Sequence, residues 1–183
     1  MGRLHGAILE MISSLERRNV HGLRSLSNSC LHELAVNEES SLLQPAILAY
    51  ALAKVMEKQH FWRDRSQDDF FLSVSKKLRE AEEQARAGDD AKATSTLTEL
   101  IDMLEKLDVS EQRFVRSLLN RARVKSASTL YAQGFSLGRA LEITGADKRD
   151  VVDYIGKTVM FDRVGKTKTM QERLKALKKL ITK

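Results

Sequence analysis

Two Gly-Lys-Thr tripeptides, at 156–158 and 165–167, are the first residues whose types suggest chemistry, because glycine, lysine and threonine together cradle phosphates. A phosphate loop needs another glycine five positions earlier, so that backbone amides can wrap the anion. Those positions hold Val151 and Met160, so neither tripeptide is read as a nucleotide loop. His21, Cys30 and His32 come closest to a metal set. Two residues apart on a helix, Cys30 and His32 project about 200° from one another and cannot face one ion. The expectation is a buried Cys30 with partly exposed histidines. His60 adjoins Phe61 and Trp62 and reads as interhelical packing. Glu80, Glu82, Glu83, Asp89 and Asp90 are interleaved with bases, and Arg79 is expected to pair with Glu83 at i,i+4 on a solvated face. No Ser–His–Asp set, His-Glu-x-x-His, cysteine pair or glycine-rich cofactor pattern occurs, so the expectation is a protein that is not an enzyme and uses no cofactor or metal.

Charge is the stronger signal. Residues 1–110 hold 14 basic and 18 acidic groups, a net of −4, whereas residues 111–183 hold 17 and 7, a net of +10. A compact basic part is the footprint expected for phosphate contacts, although a basic surface can also serve only solubility. The single cysteine excludes an intramolecular disulfide and suits a reducing cytosol. The N-terminal residues lack the apolar core of a signal peptide, and position 6 is glycine where a myristoylation pattern needs Ser or Thr. No stretch approaches the ~20 apolar residues of a membrane span, so a cytoplasmic chain without membrane attachment is expected.

The elements that must position these groups are helical. One proline and nine glycines in 183 residues leave few breakers. Leu4, Ile8, Met11, Ile12 and Leu15 recur at helical steps over 3–18, and Asn19 is a stop. A second helix runs on Leu23, Leu26, Cys30, Leu31 and Leu34. Pro45 opens a third, strongly apolar one. Ser66 is an expected N-cap, Gly88 a stop, Asp89 or Asp90 the next cap and Ser110 another start. Six helices before residue 124 predict an all-α fold. An acidic N-terminal bundle (1–124) is followed by a basic part (125–183), with the boundary falling inside a continuous helix.

The basic part begins with three short helical patterns. Ala127, Leu130 and Tyr131 end at Gly134. Ser136 caps Leu137–Ile143, which Gly145 ends. Asp147 caps a third pattern carrying Val151, Tyr154 and Ile155. Leu141 lies four residues before Gly145, Val151 six after it, and Tyr154 and Ile155 nine and ten after it. With that spacing the segment resembles the helix-turn-helix modules of resolvase-like and antitoxin-like prokaryotic regulators, over about 30 residues. The family usually has alanine where Leu141 stands, so the two helices approach closely only if Ala140 takes the contact. The last pattern, Met170, Leu174, Leu177 and Leu180, reads as a C-terminal amphipathic helix packed on the body or on a second copy. The segment Val159–Thr169 reads as an ordinary loop, with a wing-like hairpin as the alternative.

The resemblance implies that Lys148, Arg149 and Lys157 approach a groove, with Arg116, Arg121, Arg123, Lys166 and Lys168 on phosphates. Against it, Asp147, Asp150 and Asp153 lie on the same helix and repel phosphates. The expected partner is nucleic acid, DNA ahead of RNA, with the N-terminal bundle dimerising or binding a protein. The alternative is a scaffold module whose basic part docks an acidic protein.

Overall fold

The computed structural model describes residues 2–37, 39–57, 66–105 and 112–157. They form eight α-helices and one short 3-10 turn, with no strand among the described residues: the fold is all-α. The helices are α1 (Arg3–Glu16), α2 (Val20–Asn37), α3 (Leu43–Met56), α4 (Ser66–Arg86), α5 (Asp90–Glu105), α6 (Gln112–Ala132), α7 (Leu137–Thr144) and α8 (Lys148–Lys157), and the 3-10 turn Ser40–Leu42 leads into α3.

Three connections use one chemical design. After α1, Arg18 takes a left-handed conformation (φ 53°), and the N–H groups of Arg18 and Asn19 donate to the Leu15 and Ser14 carbonyls at 3.0 and 2.8 Å. After α4, Gly88 (φ 86°) and Asp89 repeat this on Ala85 and Gln84. After α6, Gly134 (φ 107°) and Phe135 repeat it on Tyr131 and Leu130. Each satisfies the carbonyls that a helix end leaves without partners. A capping side chain then starts the next helix: Asn19 Oδ1 accepts from Gly22 N–H (2.9 Å), Asp89 Oδ1 from Lys92 N–H (3.0 Å) and Ser136 Oγ from Arg139 N–H (3.2 Å). The stops and caps expected at Asn19, Gly88, Asp89, Gly134 and Ser136 stand in these roles.

Helix α3 is the centre. Leu43, Ala46, Ile47, Leu48, Ala51, Leu52 and Val55 are all buried, and α1, α2, α5 and α6 pack around it. Burial on nearly every side explains why this helix is apolar rather than two-faced. Helices α4 and α5 form an antiparallel pair joined through Gly88 and Asp89, and α4 also lies on α1. Ser27, itself buried on α2, donates its hydroxyl to the Ala46 carbonyl at 2.8 Å and so ties α2 to α3. His5 Nε2 and Glu82 Oε1, 2.8 Å apart, link α1 to α4. Arg79 does not take Glu83, as its i,i+4 spacing suggested. It reaches Glu16 on α1 at 2.6 Å, because α4 lies against α1 and brings that carboxylate nearer.

Helix α6 passes unbroken through residue 124. It packs on α2, α3 and α5 and also carries α7 and α8. Leu118, Leu119, Leu130, Ala140 and Val151 belong to the same buried cluster as the side chains of α1–α5. Ala140 is fully buried and Leu141 only partly, so Ala140 makes the close approach on α7 and the larger side chain stays at its edge. Four of the expectations lie outside the described residues: the His60 packing, the Ser110 start, the loop 159–169 and the C-terminal helix. The Ser66 side chain lies outside them as well.

Candidate functional site

The first turn of α8 is built by Asp147 and Gly145. Gly145, with φ 63°, ends α7 in the left-handed region that glycine enters without steric cost. Two residues later Asp147 Oδ1 accepts from the N–H groups of Arg149 and Asp150, at 2.8 and 3.3 Å. That cap leaves Lys148 and Arg149 exposed on the outer surface, and neither makes an ion pair among the described residues. The other acids of the helix are also engaged. Asp150 Oδ2 accepts from Asn120 Nδ2 of α6 (2.8 Å), and Asp153 Oδ2 faces Lys157 Nζ at 3.5 Å.

The remaining expected site residues do not gather on one face. Arg121 and Lys157 come together, on α6 and α8, at the wall of one groove. Arg123 is two positions from Arg121 on the same helix, is half-buried and lies outside that groove. A two-residue step rotates a helical side chain by about 200°, so the two arginines cannot serve a single surface directly. Arg116 belongs to α6, but its side chain lies outside the described residues, as do Lys166 and Lys168.

The groove is an open cavity of about 830 Å³ between α3, α6 and α8. Tyr50, Lys54 and Glu57 form its α3 wall. Leu118, Arg121 and Val124 form its α6 wall, and Asp150, Asp153, Tyr154 and Lys157 its α8 wall. Lys54 Nζ lies 2.9 Å from Glu57, which also pairs with Arg24 of α2. Lys125 Nζ stands over the Tyr50 ring, 4.6 Å from its centroid, with Asn28 Oδ1 at 3.4 Å. Burial lowers the Lys125 pKa below the usual lysine value, and the nearby Arg24 and Lys54 lower it further. Burial keeps the Tyr50 and Tyr154 hydroxyls protonated beyond the ordinary range. Both are therefore neutral donors and acceptors at neutral pH.

Tyr50, Lys54, Glu57 and Arg24 have no place in the sequence-based site. The signal was present: Tyr50, Lys54 and Glu57 sit at i, i+4 and i+7, one polar stripe on an otherwise apolar helix.

A second, smaller recess of about 310 Å³ lies between α1 and α2, with Cys30 among its lining. Burial, then the carboxylates of Glu10 and Glu33, push the thiol pKa up to about 12, so Cys30 is not a nucleophile near neutrality. No known protein family, characterised protein or solved structure matches the chain.

Proposed function

We propose that this all-α protein binds nucleic acid, duplex DNA ahead of RNA, through the basic surface built on α6 and α8. Lys148 and Arg149 approach the bases or phosphates first. Arg121 and Lys157 follow along the groove, and Arg116, Arg123, Lys166 and Lys168 extend the basic field. One observation supports this reading above the others. Each of the three acids has a polar partner (Asp147 the N–H groups of the first turn, Asp150 the Asn120 amide, Asp153 the Lys157 ammonium), while Lys148 and Arg149 are exposed and without an ion pair among the described residues. The net +10 of residues 111–183 supplies the long-range attraction.

Fluorescence anisotropy of the full chain with a random duplex DNA and a random RNA tests this across a salt series. Four phosphate contacts predict a log–log salt slope of about −3 to −4, and K148E/R149E together reduce it by about two. Absence of binding to either polymer at low salt refutes the reading.

A second reading rests on α8 and its capping residue together carrying three bases, Lys148, Arg149 and Lys157, and three acids, Asp147, Asp150 and Asp153. A charge-balanced helix suits a protein partner better than a phosphate backbone. In that reading association is salt-sensitive but involves an acidic protein or a second copy, and neither polymer is shifted.

A further inference from the structure

The hairpins α1–α2 and α4–α5 share more than their turn chemistry. Shifted by seventy residues, they bury the same positions: Ile8 and Leu78, Leu15 and Ala85, Leu23 and Ala93, Cys30 and Leu100. The turns coincide at the same shift, Arg18 with Gly88 in the left-handed region and Asn19 with Asp89 as caps. The two hairpins are one design used twice, so each position in one has a counterpart in the other. In the second hairpin Lys77 reaches across the pair. Its Nζ lies 3.2 Å from Glu80 of α4 and 3.0 Å from Glu99 of α5. In the first hairpin the counterpart of Lys77 is Ala7, and that of Glu80 is Glu10. The recess of about 310 Å³ opens at Ala7, with Glu10 on its α1 side and Glu33 on its α2 side. Glu33 stands one turn beyond Ser29, the counterpart of Glu99, on the same face of α2. The first hairpin therefore lacks the lysine side chain but keeps carboxylates of the kind that receive it.

Negative charge is in excess at this recess. Its lining holds one cation, Arg3, and two carboxylates, Glu10 and Glu33. Arg3 is divided between Glu33 at 3.4 Å and Glu39 at 3.0 Å, and Glu10 makes no ion pair among the described residues. After burial, Glu10 and then Glu33 raise the Cys30 thiol, so their field reaches the recess wall. We propose that the recess binds a primary alkylamine, its ammonium on Glu10 and Glu33 and its alkyl chain along Ala7, Leu26 and Leu42. The ligand supplies here what Lys77 supplies in the second hairpin. An ammonium brings three donors to carboxylates that only accept. Ala7, Leu26 and Leu42 are buried apolar residues, a surface on which a lysine-like stem lies. A chain of about four carbons reproduces the lysine side chain. The volume of about 310 Å³ falls at the small end of ligand sites. A divalent ion fits the recess poorly, because among the described residues no three His, Cys, Asp or Glu side chains converge to hold one.

The site lies on α1 and α2 and does not depend on the nucleic-acid reading. Amide NMR shifts of the full chain, titrated with n-butylamine at pH 7 and constant ionic strength, test it. Butanol, potassium chloride and magnesium chloride are the controls. Saturable shifts are expected around residues 7–10 and 29–33, half-complete below about 10 mM amine. E10Q and E33Q each weaken the amine by about two- to fivefold, and K148Q/R149Q leaves it unchanged. A7K returns the lysine of the second hairpin and abolishes amine binding. Ala7 is buried, so if A7K does not fold, the partly exposed Glu10 and Glu33 still decide through their glutamine variants, with circular dichroism checking each. No saturation by about 50 mM, equal shifts with butanol or either salt, or full affinity in both glutamine variants would overturn the proposal. Shifts at the same residues that grow with protein concentration alone would also overturn it, and would assign the recess to a lysine of a second copy.

Discussion

Val151 and Val152 are adjacent on α8 and chemically identical, yet Val151 is 0% exposed and Val152 is 47% exposed. Truncating each to alanine therefore isolates burial from every other effect of the change. V151A removes two methyl groups from a packed site, about 1.6 kcal/mol at ~0.8 kcal/mol per buried carbon, plus a cavity term where the surroundings do not close. Alanine returns about 0.6 kcal/mol through better helix propensity, and it does so at both positions. V151A is thus expected to destabilise by about 1–2 kcal/mol and V152A by about zero, a difference of about 1–2 kcal/mol. For a chain of this size that separates the melting temperatures by about 2–8 °C. Urea unfolding followed by circular dichroism reads both values directly. Two variants within ~0.5 kcal/mol of each other, or V152A the weaker, would show that α8 does not present the face described here. The orientation matters for function, because the same rotation places Lys148 and Arg149 outward and turns Tyr154 into the groove.

Two further outcomes follow from the titrating groups. Cys30, with its thiol raised to about 12, is expected to react with iodoacetamide at pH 8 about a thousandfold more slowly in the native chain than in the unfolded one, since thiolate is the reacting form. Alkylation rates with and without urea measure this, and a native rate within about tenfold of the unfolded rate contradicts the burial of α2 against its neighbours. Lys125 has a folded pKa below its ordinary 10.5, first through burial and then through Arg24 and Lys54. Between that lowered value and 10.5 the unfolded chain binds more protons, so this lysine makes stability rise with pH in that window. Tyr50 and Tyr154, whose pKa values are raised, act in the opposite sense above 10.0, so the difference between wild type and K125M isolates the lysine. K125M should lose the rise, as measured by urea midpoints across the window. An unchanged profile removes Lys125 from the buried cationic cluster.

The helices were legible in the sequence because their boundaries are local chemistry. Asn19, Asp89, Ser136 and Asp147 each cap a backbone N–H two or three residues ahead, and Gly88, Gly134 and Gly145 each take the left-handed turn that ends a helix. Such bonds close within a few residues, so a one-dimensional reading captures them. Arg18 holds the same left-handed position without being glycine, and only the stop at Asn19 marked that turn. The polar face of α8 was equally local. Pairings set by how the helices cross were not. Arg79 had a carboxylate four residues away in sequence and took one 63 residues away, because the packing of α4 on α1 decides which is nearer.

The groove was hidden by that limit in its strongest form. Its walls come from residues 50–57, 118–124 and 150–157, and its charge comes from bringing Lys54 of a core helix beside Arg121 of the basic part. Counting charge by segment assigned the first to an acidic bundle and the second to a basic unit, and averaged away the place where they meet. A lysine in a helix as apolar as α3 carries information for this reason. Its ammonium must reach solvent or a partner at the helix end. Glu57 accepts it there at 2.9 Å, and the same end of α3 faces α6 and α8. The polar stripe of Tyr50, Lys54 and Glu57 is therefore what a buried helix shows when one edge of it borders a cavity. It was the one non-local feature with a trace in the sequence.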